Sequence, residues 1–348
     1  MKSQQNKQKL VPVYPHSPIH GLATLSKALG VHENVLIRYA ERADRLYRLA
    51  WQEEKADGSL RQTFDAFPVL KAIQIKIKQC ILQRVIFSPY LHGSLPGCSP
   101  RTNAAMHLNA KIAIAEDISN FFPSTSLKLV NDVWRGLFGF SADVAAILSK
   151  LTTKAGGLPQ GAVTSSYLAN LVFWRYEPTL VAKFQAHGLI YSRYVDDVNV
   201  SSSRKLTREE KTQTVADVYG MLIHHGFQPK RSKHEVFTSG HSMRITKLLS
   251  NRRVGLPREQ RQNIRAAVYA LEQRVTAGGE VQDLTKELSS VSTRVGRLGS
   301  YHRQEGEHLK KRLKVVRQLL ISIQSMKSAS TEHLEAVVAT DAEQSPPW

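Results

Sequence analysis

Residues 190–201, IYSRYVDDVNVS, decide the fold of this chain. β-Branched and aromatic residues flank Asp196 and Asp197 on both sides, which predicts a strand, a tight turn and a returning strand with two carboxylates at the tip. Adjacent aspartates repel each other, so the pair needs compensation by solvent or by a hard cation, and oxygen ligands favour Mg²⁺ or Mn²⁺ over zinc or copper. An ordinary solvated turn is the alternative, because Asp is common in turns. The hairpin alone does not decide between the two.

Composition narrows the class of partner. The chain has 348 residues with 42% hydrophobic content, enough for one multi-lobed unit or two domains. A formal net charge of +19 predicts a polyanionic partner, either nucleic acid or an anionic membrane surface. Nucleic acid is favoured and a membrane is not, because no apolar run approaches the roughly 18 to 20 residues that span a bilayer. The basic N-terminus lacks an apolar signal-peptide core, and Cys80 and Cys98 have no paired spacing, so a cytoplasmic location is predicted.

The order of predicted elements indicates an α+β fold that ends in a helical module. Helical spacing covers residues 20–51 with a break at Gly30, then 70–86, 165–184 and about 258–325. We expect four parts: a mostly helical N-terminal extension (1–59), a central α+β region (60–256), a helical region (257–327) and an acidic, flexible tail (328–348).

A second acidic position lies upstream of the hairpin. Asp117 ends a predicted strand, residues 111–116, and precedes Asp196 by 79 residues. Phosphoryl transfer by two metal ions needs carboxylates from separate strands at one edge, so that cations about 3.5 to 4 Å apart act on the attacking and leaving oxygens. Alone, Asp117 is better explained as a turn or capping residue.

Three ordered segments resemble the palm motifs of reverse transcriptases. They are Asp117-Ile118-Ser119-Asn120-Phe121-Phe122, Gly157-Leu158-Pro159-Gln160-Gly161 and Tyr194-Val195-Asp196-Asp197. The resemblance runs from about Leu60 to Asn251 and implies a right-hand polymerase with fingers, a palm with an antiparallel sheet, and a helical thumb. Within that class the chain is similar to bacterial retron reverse transcriptases, through His92-Gly93, Ser99-Pro100-Arg101 and Asn103-Ala104-Ala105-Met106-His107.

The resemblance assigns roles position by position. It implies that Asp117, Asp196 and Asp197, with the backbone carbonyl of Ile118, hold two Mg²⁺ ions, for which Mn²⁺ could substitute. Phe122 falls at the steric-gate position that excludes a ribose 2′-hydroxyl. Further implied contacts with the incoming nucleotide are Gln160, Lys233, Arg61 and Arg101, and with primer or template Tyr194, Val195 and Thr246. For the two arginines, solvated surface charge is the alternative.

Basic residues recur in the helical region at helical spacing. Such runs are usually solvated helix faces, but next to a polymerase core they favour contacts with RNA phosphates. The residues expected to bind RNA are Asn103, His107, Arg258, Arg261, Arg265, Lys310, Lys311, Arg312, Lys314 and Arg317.

The expected activity is RNA-directed DNA synthesis on a cognate structured noncoding RNA, giving RNA-linked single-stranded DNA, in antiphage defence with an effector protein. Two positions depart from the retron pattern: Lys230 replaces the usual Asn, and Ile245-Thr246-Lys247 replaces Val-Thr-Gly. Another prokaryotic antiviral or group II-like reverse transcriptase therefore stays open. So do a nucleic-acid-binding assembly module with a polymerase fold and a two-metal nuclease.

Overall fold

A computed structural model describes residues 10–54, 58 and 60–343, with side chains as far as Met326. The chain divides into two compact units between Arg253 and Val254. Helices and antiparallel sheets are mixed in the first unit, which confirms the α+β class.

The first unit is built on a four-stranded antiparallel sheet with the order β4-β5-β3-β6. Its strands are β3 (Ile112–Asp117), β4 (Leu189–Tyr194), β5 (Asp197–Ser202) and β6 (Glu235–Thr238). β4 and β5 form the predicted hairpin around Asp196. β5 also pairs with β3, and Asp117 lies directly opposite Asp197 in that register. The sheet therefore brings the two distant acidic segments to one edge.

The first unit also contains α-helices. They are α1 (Leu22–Leu29), α2 (Glu33–Arg42), α3 (Pro68–Cys80), α4 (Pro100–Met106), α5 (Phe121–Ser124), α6 (Leu127–Asp132), α7 (Ala142–Thr152), α8 (Ser165–Leu171), α9 (Glu177–Ala186) and α10 (Arg208–His224). Two small hairpins complete the unit, β1 (Tyr47–Glu54) with β2 (Leu60–Ala66) and β7 (Arg244–Ile245) with β8 (Leu248–Leu249).

The predicted helix over residues 20–51 is wrong at its C-terminal end. After α2 the chain enters β1, which pairs antiparallel with β2 from Tyr47 opposite Ala66 to Glu54 opposite Leu60. Pairing with a later segment overrides the helical spacing, because tertiary contacts outweigh local propensity. The N-terminal part is thus less helical than expected. Residues 10–18 form no helix, and Val13 is bridged to Ile86; residues 1–9 lie outside the described residues.

Two other predicted helices are shorter than expected. The segment 165–184 is interrupted between α8 and α9, where Pro178 lies in the first turn of α9. Proline has no N–H to donate to a preceding turn, so it favours a new helix start. The helix predicted over 70–86 ends at Cys80 and gives way to a short 3₁₀ turn, Leu82–Arg84.

The second unit contains α11 (Arg258–Thr276), α12 (Val281–Tyr301) and α13 (Arg303–Glu343). α13 continues into the segment predicted as a flexible tail from Ser328, as far as Glu343. No glycine or proline occurs between Glu307 and Glu343, so nothing in the local sequence ends the helix. The last part of the expected tail, 344–348, lies outside the described residues. Among the helices that are described, none combines the length and apolarity needed to cross a bilayer.

The hairpin is supported from below by a buried histidine. His107 Nδ1 and Nε2 each lie 2.7 Å from a serine hydroxyl, Ser201 on β5 and Ser192 on β4. Burial lowers the pKa of His107 to about 3, so the ring is neutral. The prediction that Asn103 and His107 contact RNA is wrong in this structure, because both side chains are wholly buried.

Gly93 packs against the tip of the hairpin. A Cβ atom built on Gly93 would lie 2.2 Å from Val195 Cγ2 and 2.4 Å from the Val195 backbone nitrogen. Asn170 Nδ2 donates to the Gly93 carbonyl oxygen at 2.7 Å, so this segment cannot easily move away. The turn can therefore occupy this position only because Gly93 has no side chain.

We expect Gly93→Ala to lower the free energy of unfolding by about 1 to 3 kcal/mol, because the added methyl group overpacks the turn. Gly220→Ala is the matched control: Gly220 is inside α10 with open space around it, so alanine should raise stability by about 0.5 to 1 kcal/mol. Urea unfolding of both variants measures the contrast. Equal stability of the two variants would contradict the close packing at Gly93.

Candidate active site

Three carboxylates gather at one edge of the sheet. Asp117 is the last residue of β3, Asp197 is the first of β5, and Asp196 lies in the turn between β4 and β5. The backbone nitrogen of Ile118 donates to the Asp196 carbonyl oxygen at 3.1 Å, which joins the chain after β3 to the hairpin tip. Val195 has a φ of 60°, a left-handed conformation that is strained for a β-branched residue. The turn must therefore be held in place by its surroundings.

A buried ion pair holds it. Arg193 on β4 and Glu177 on α9 are both fully buried, with Arg193 Nε 2.6 Å from Glu177 Oε1 and Nη2 2.9 Å from Oε2. The other guanidinium nitrogen, Nη1, donates to the Val195 carbonyl oxygen at 3.1 Å, at the tip itself. Arg193 Nη2 also donates to the Asn170 carbonyl oxygen at 2.9 Å. This network fixes the hairpin relative to α8 and α9.

The acids at the tip repel one another. Burial, and then the charges of Asp196 and Asp117, raise the pKa of Asp197 to about 7. Burial and the charge of Asp117 also raise the pKa of Asp196. A site that holds three carboxylates this close has a strong demand for positive charge.

Lys233 supplies part of that charge. Its Nζ lies 2.6 Å from Asp117 Oδ2, so it occupies one of the two carboxylate oxygens. Burial acts to lower the pKa of Lys233, but the hydrogen bond and charge of Asp117, with the charges of Asp197 and Asp196, together raise that pKa. The neighbouring His234 binds Glu116 through Nδ1 and Oε1 at 2.6 Å. Lys233 and His234, which are adjacent in sequence, therefore bind the adjacent acids Asp117 and Glu116 of β3.

A cleft of about 990 Å³ opens at this edge. Seven of the predicted site residues line it: Arg61, Asp117, Ile118, Phe122, Gln160, Asp196 and Lys233. The side-chain amide oxygen of Gln160 accepts from Arg61 Nε at 3.0 Å and from Nη2 at 2.7 Å. The backbone nitrogen of Phe64 donates to the Gln160 carbonyl oxygen at 2.7 Å, which joins the β1–β2 hairpin to the Gln160 loop. Segments far apart in sequence thus form one cleft.

Five residues predicted to act at the cleft do not line it, and the first is Asp197, which pairs opposite Asp117 at the sheet edge. Val195 is buried against Gly93, and Tyr194 is the half-buried last residue of β4. The Thr246 hydroxyl donates to the Pro100 carbonyl oxygen at 3.2 Å, and Arg101 is exposed on α4. The contacts of the other four with primer or nucleotide stay predictions.

Sequence reasoning missed basic residues of the cleft. Lys154 lines it, with Nζ 4.5 Å from the centre of the Phe64 ring, and Lys230 and Ser232 line it beside Lys233. Lys154 precedes the Gly156-Gly157 turn, and Lys230 replaces an expected asparagine, so only position in the fold reveals them. Together with Arg61 they make the cleft attractive to a polyphosphate.

In the second unit, several arginines expected to bind RNA are engaged by glutamates. Arg261 and Arg265 bind Glu305 at 2.7 and 2.6 Å, and Arg312 Nε binds Glu272 at 2.8 Å. These contacts link α11 to α13, so the three arginines have a packing role. The remaining predicted residues are exposed: Arg258, Lys310, Lys311, Lys314 and Arg317.

The chemistry of the three carboxylates fits hard divalent cations, since they offer oxygen ligands and crowded negative charge. Within the described part of the chain, however, no three His, Cys, Asp or Glu side chains are arranged as a preformed metal site. The Lys233 ammonium also occupies Asp117 Oδ2. The acids would therefore have to adjust around a bound cation.

Comparison with known proteins gives a consistent match. A family model described as reverse transcriptase (RNA-dependent DNA polymerase) matches residues 54–267. The Retron Se72 reverse transcriptase of Salmonella heidelberg (strain 579083-10) is 34% identical over 297 residues, which cover 83% of this chain and 78% of that protein. Two Escherichia coli proteins are each 29% identical: Retron Ec48 reverse transcriptase, over 87% of this chain and 77% of its own length, and Retron Ec86 reverse transcriptase, over 72% and 78%.

The raised pKa of Asp197 predicts a stability change with pH. The folded-state pKa near 7 exceeds the usual unfolded value of about 3.9, so ionisation of Asp197 destabilises the folded protein. This loss of stability is absent below about pH 4 and complete above about pH 7. We expect Asp197→Asn to raise the free energy of unfolding in EDTA by about 1 to 3 kcal/mol at pH 8, and to have little effect at pH 4. Urea unfolding at the two pH values measures it.

Asp65→Asn is the control of opposite sign. Hydrogen bonds from Lys71 and Arg48 lower the pKa of this exposed carboxyl, so its loss should slightly destabilise the protein at pH 8. A stability gain for Asp65→Asn equal to that for Asp197→Asn would show that the effect reflects only the net charge.

Proposed function

Because the chain belongs to the bacterial retron-type reverse transcriptases, we propose that its cleft performs RNA-directed DNA synthesis by a two-metal mechanism on a cognate structured noncoding RNA. The family supports RNA-directed DNA polymerase activity. The product proposed is single-stranded DNA linked to that RNA, made as part of a defence against phage in which an effector protein takes part.

One observation carries the proposal. Asp117 and Phe122, Gln160, and Asp196 come from three separate segments and line a single cleft, with Asp197 paired opposite Asp117 at the sheet edge. A surface that only binds nucleic acid gains nothing from three crowded carboxylates. A nuclease would share the carboxylates but has no use for an aromatic residue and a glutamine in a nucleotide-sized cleft. The combination favours polymerisation.

Asp117, Asp196 and Asp197 would hold the metal ions, together with the backbone carbonyl of Ile118. Bound divalent cations would supply Lewis-acid activation of the primer hydroxyl and stabilisation of the leaving oxygen. The repulsion among the three acids, seen in the raised pKa values of Asp196 and Asp197, supports this role, since cations relieve it.

The other cleft residues bind and orient the nucleotide. Lys233 carries a proton at Nζ, at the carboxylate edge, where it can pair with or protonate the departing pyrophosphate. Arg61 and Lys154 present positive charge on the wall that Phe64 shares with Gln160. Phe122 is half-buried at the start of the turn after β3, and its ring would exclude a ribose 2′-hydroxyl.

In this proposal the parts of a right hand are distributed along the chain. The palm contains the four-stranded sheet, the fingers begin near Leu60, and the second unit acts as a thumb that binds RNA. Sequencing of nucleic acid that copurifies with the protein tests the proposed template and product. A covalent RNA–DNA species would support them, whereas unrelated cellular RNA would contradict the proposed cognate RNA.

We expect Asp196→Asn/Asp197→Asn to reduce DNA synthesis by ~10³-fold or more, because removal of acids that act as one unit abolishes the site. Primer extension on an RNA template with Mg²⁺ and dNTPs measures it, and RNA binding should persist. Asp143→Asn, an exposed carboxylate in the first turn of α7, is the matched control and should leave synthesis unchanged. Undiminished synthesis by the double variant, or degradation without incorporation by the natural protein, would overturn the proposal.

We expect Phe122→Ala to admit ribonucleotides, because the space for a 2′-hydroxyl is no longer filled. The ratio of kcat/KM for dNTP over rNTP should fall by about 10- to 100-fold. Single-nucleotide incorporation assays with matched dNTP and rNTP measure it. Phe67→Ala, at a 40% exposed phenylalanine that does not line the cleft, should leave the ratio unchanged. An unaltered ratio for Phe122→Ala would rule out the gate.

A further inference from the structure

A buried carboxylate precedes Asp117 on β3 and has no part in the proposed chemistry. Glu116 is 3% exposed, and both of its carboxylate oxygens have a partner. His234 Nδ1 lies 2.6 Å from Oε1, and the Tyr219 hydroxyl donates to Oε2 at 3.0 Å. Because a carboxylate only accepts hydrogen bonds, Nδ1 is the ring nitrogen of His234 that carries a hydrogen. We call Glu116, Tyr219 and His234 the Glu116 anchor.

The Glu116 anchor lies on the face of the sheet opposite to the cleft. Neighbouring side chains of a strand point to opposite faces, and Asp117 lines the cleft, so Glu116 points away from it towards Tyr219 of α10. Lys233 binds Asp117 on the cleft face, and the next residue, His234, binds Glu116 on the other face. Two consecutive side chains therefore fasten one short segment to both faces of β3.

That segment is a turn that interrupts the edge of the sheet. Ile118 is bridged to Pro229, and a regular antiparallel ladder from there would bring residue 232 opposite Ala115. Glu235 lies there instead, so three additional residues are accommodated in the 3₁₀ turn Arg231–Lys233. Every residue from 231 to 234 is exposed, so burial does not fix the turn. Its position therefore depends on the side-chain contacts with β3.

One of those two contacts conflicts with the proposed reaction. If Asp117 holds a cation, the Lys233 ammonium has to leave Asp117 Oδ2, where it lies at 2.6 Å. Neither Glu116 nor His234 lines the cleft, so their contact does not compete with a cation or a nucleotide. The contact between Glu116 and His234 is thus the one that can hold the turn while Lys233 faces the departing pyrophosphate.

We propose that His234, held by Glu116, is a positioning residue that keeps the Lys233 ammonium at the carboxylate edge during nucleotide incorporation. This inference rests on the proposed function, in which Lys233 acts on the leaving group. Tyr219 completes the Glu116 anchor by fixing the second oxygen of the carboxylate. A contact that served only stability would affect incorporation in the same way whether or not Lys233 were present.

Hydrogen–deuterium exchange in EDTA tests the Glu116 anchor without metal or nucleotide. The backbone nitrogens of Lys230, Lys233 and His234 donate to Asp117 or within the turn, so they exchange when the turn opens. His234→Ala should speed exchange in residues 229–235 about tenfold, the effect of losing one hydrogen bond to a charged group. His234→Asn should retain slow exchange, because Nδ2 of asparagine can take the place of Nδ1. Unchanged exchange for His234→Ala would overturn the proposal.

His187→Ala is the matched control. His187 is an exposed histidine just after α9, and its Nδ1 lies 2.9 Å from the Lys183 carbonyl oxygen of that helix. Its loss should change neither exchange in residues 229–235 nor nucleotide incorporation. Exchange in that segment that is equally fast for His187→Ala and His234→Ala would contradict a specific role for the Glu116 anchor.

Single-turnover incorporation of one dNTP on a primed RNA template with Mg²⁺ tests the consequence for Lys233. His234→Ala should lower the maximal rate constant about 10- to 100-fold, because a small displacement of a positioned group has an effect of this order. The Kd for dNTP should change less than about twofold, since Lys233 acts on the leaving group. His234→Asn should restore most of the rate. This rate constant does not depend on the fraction of folded enzyme, so lower stability cannot imitate the effect. A weaker affinity for dNTP at an unchanged maximal rate would reject the proposal.

A double-mutant cycle with Lys233→Gln shows whether His234 acts through Lys233. Lys233→Gln should itself lower the maximal rate constant, and adding His234→Ala should then lower it less than about twofold further. If His234→Ala caused the same loss in the presence and absence of Lys233, it would act by another route and the proposal would be wrong.

The failure of this inference differs from failure of the proposed function. A natural protein that incorporates no dNTP would refute the function, while exchange in EDTA would still report on the Glu116 anchor. Normal incorporation by the natural protein and by His234→Ala alike would refute the positioning role and leave the proposed function intact.

Discussion

The buried pair of Arg193 and Glu177 is the interaction on which the cleft depends. Two charges removed from water are tolerated only while their hydrogen bonds remain complete, since loss of either partner leaves an uncompensated charge. Arg193 meets that condition by binding Glu177, Asn170 and the carbonyl oxygen of Val195 together. The same contacts that satisfy the guanidinium also hold the strained turn. The stability of the core and the position of the acids therefore depend on the same hydrogen bonds.

Rigidity at this turn has an electrostatic consequence. Flexible carboxylates would move apart into solvent, whereas Asp196 and Asp197 are held beside Asp117 despite their mutual repulsion. This repulsion contributes to the raised pKa values of Asp196 and Asp197. Lys233 relieves only one oxygen of Asp117. A rigid, incompletely neutralised cluster of this kind binds cations more strongly than a relaxed one, because the energy of repulsion is recovered on binding.

The hairpin and the acid at the end of β3 could be predicted from sequence because their signals are local: alternation on each side of Asp196, and a short strand before Asp117. The burial and secondary structure of other residues depend on partners that are distant in sequence. His107 is neutral and buried because Ser192 and Ser201 meet it from the two strands of the hairpin, and residues 47–54 are a strand because residues 60–66 pair with them. No local pattern contains such information, so surface roles assigned from residue type failed there.

Charge is the clearest example of this limit. The net charge of +19 predicts a polyanionic partner, but composition does not say which basic side chains contact that partner. Arg312 is close in sequence to Lys310 and Arg317, yet Glu272, about forty positions away, engages it across the helices. Glu305 engages Arg261 and Arg265 in the same way. An arginine held by a carboxylate adds little to the external potential, whereas an unpaired one acts at full strength. The binding surface of a basic helical unit is therefore defined by the cations that remain after internal pairing, and in this unit they include the exposed Arg317 on α13.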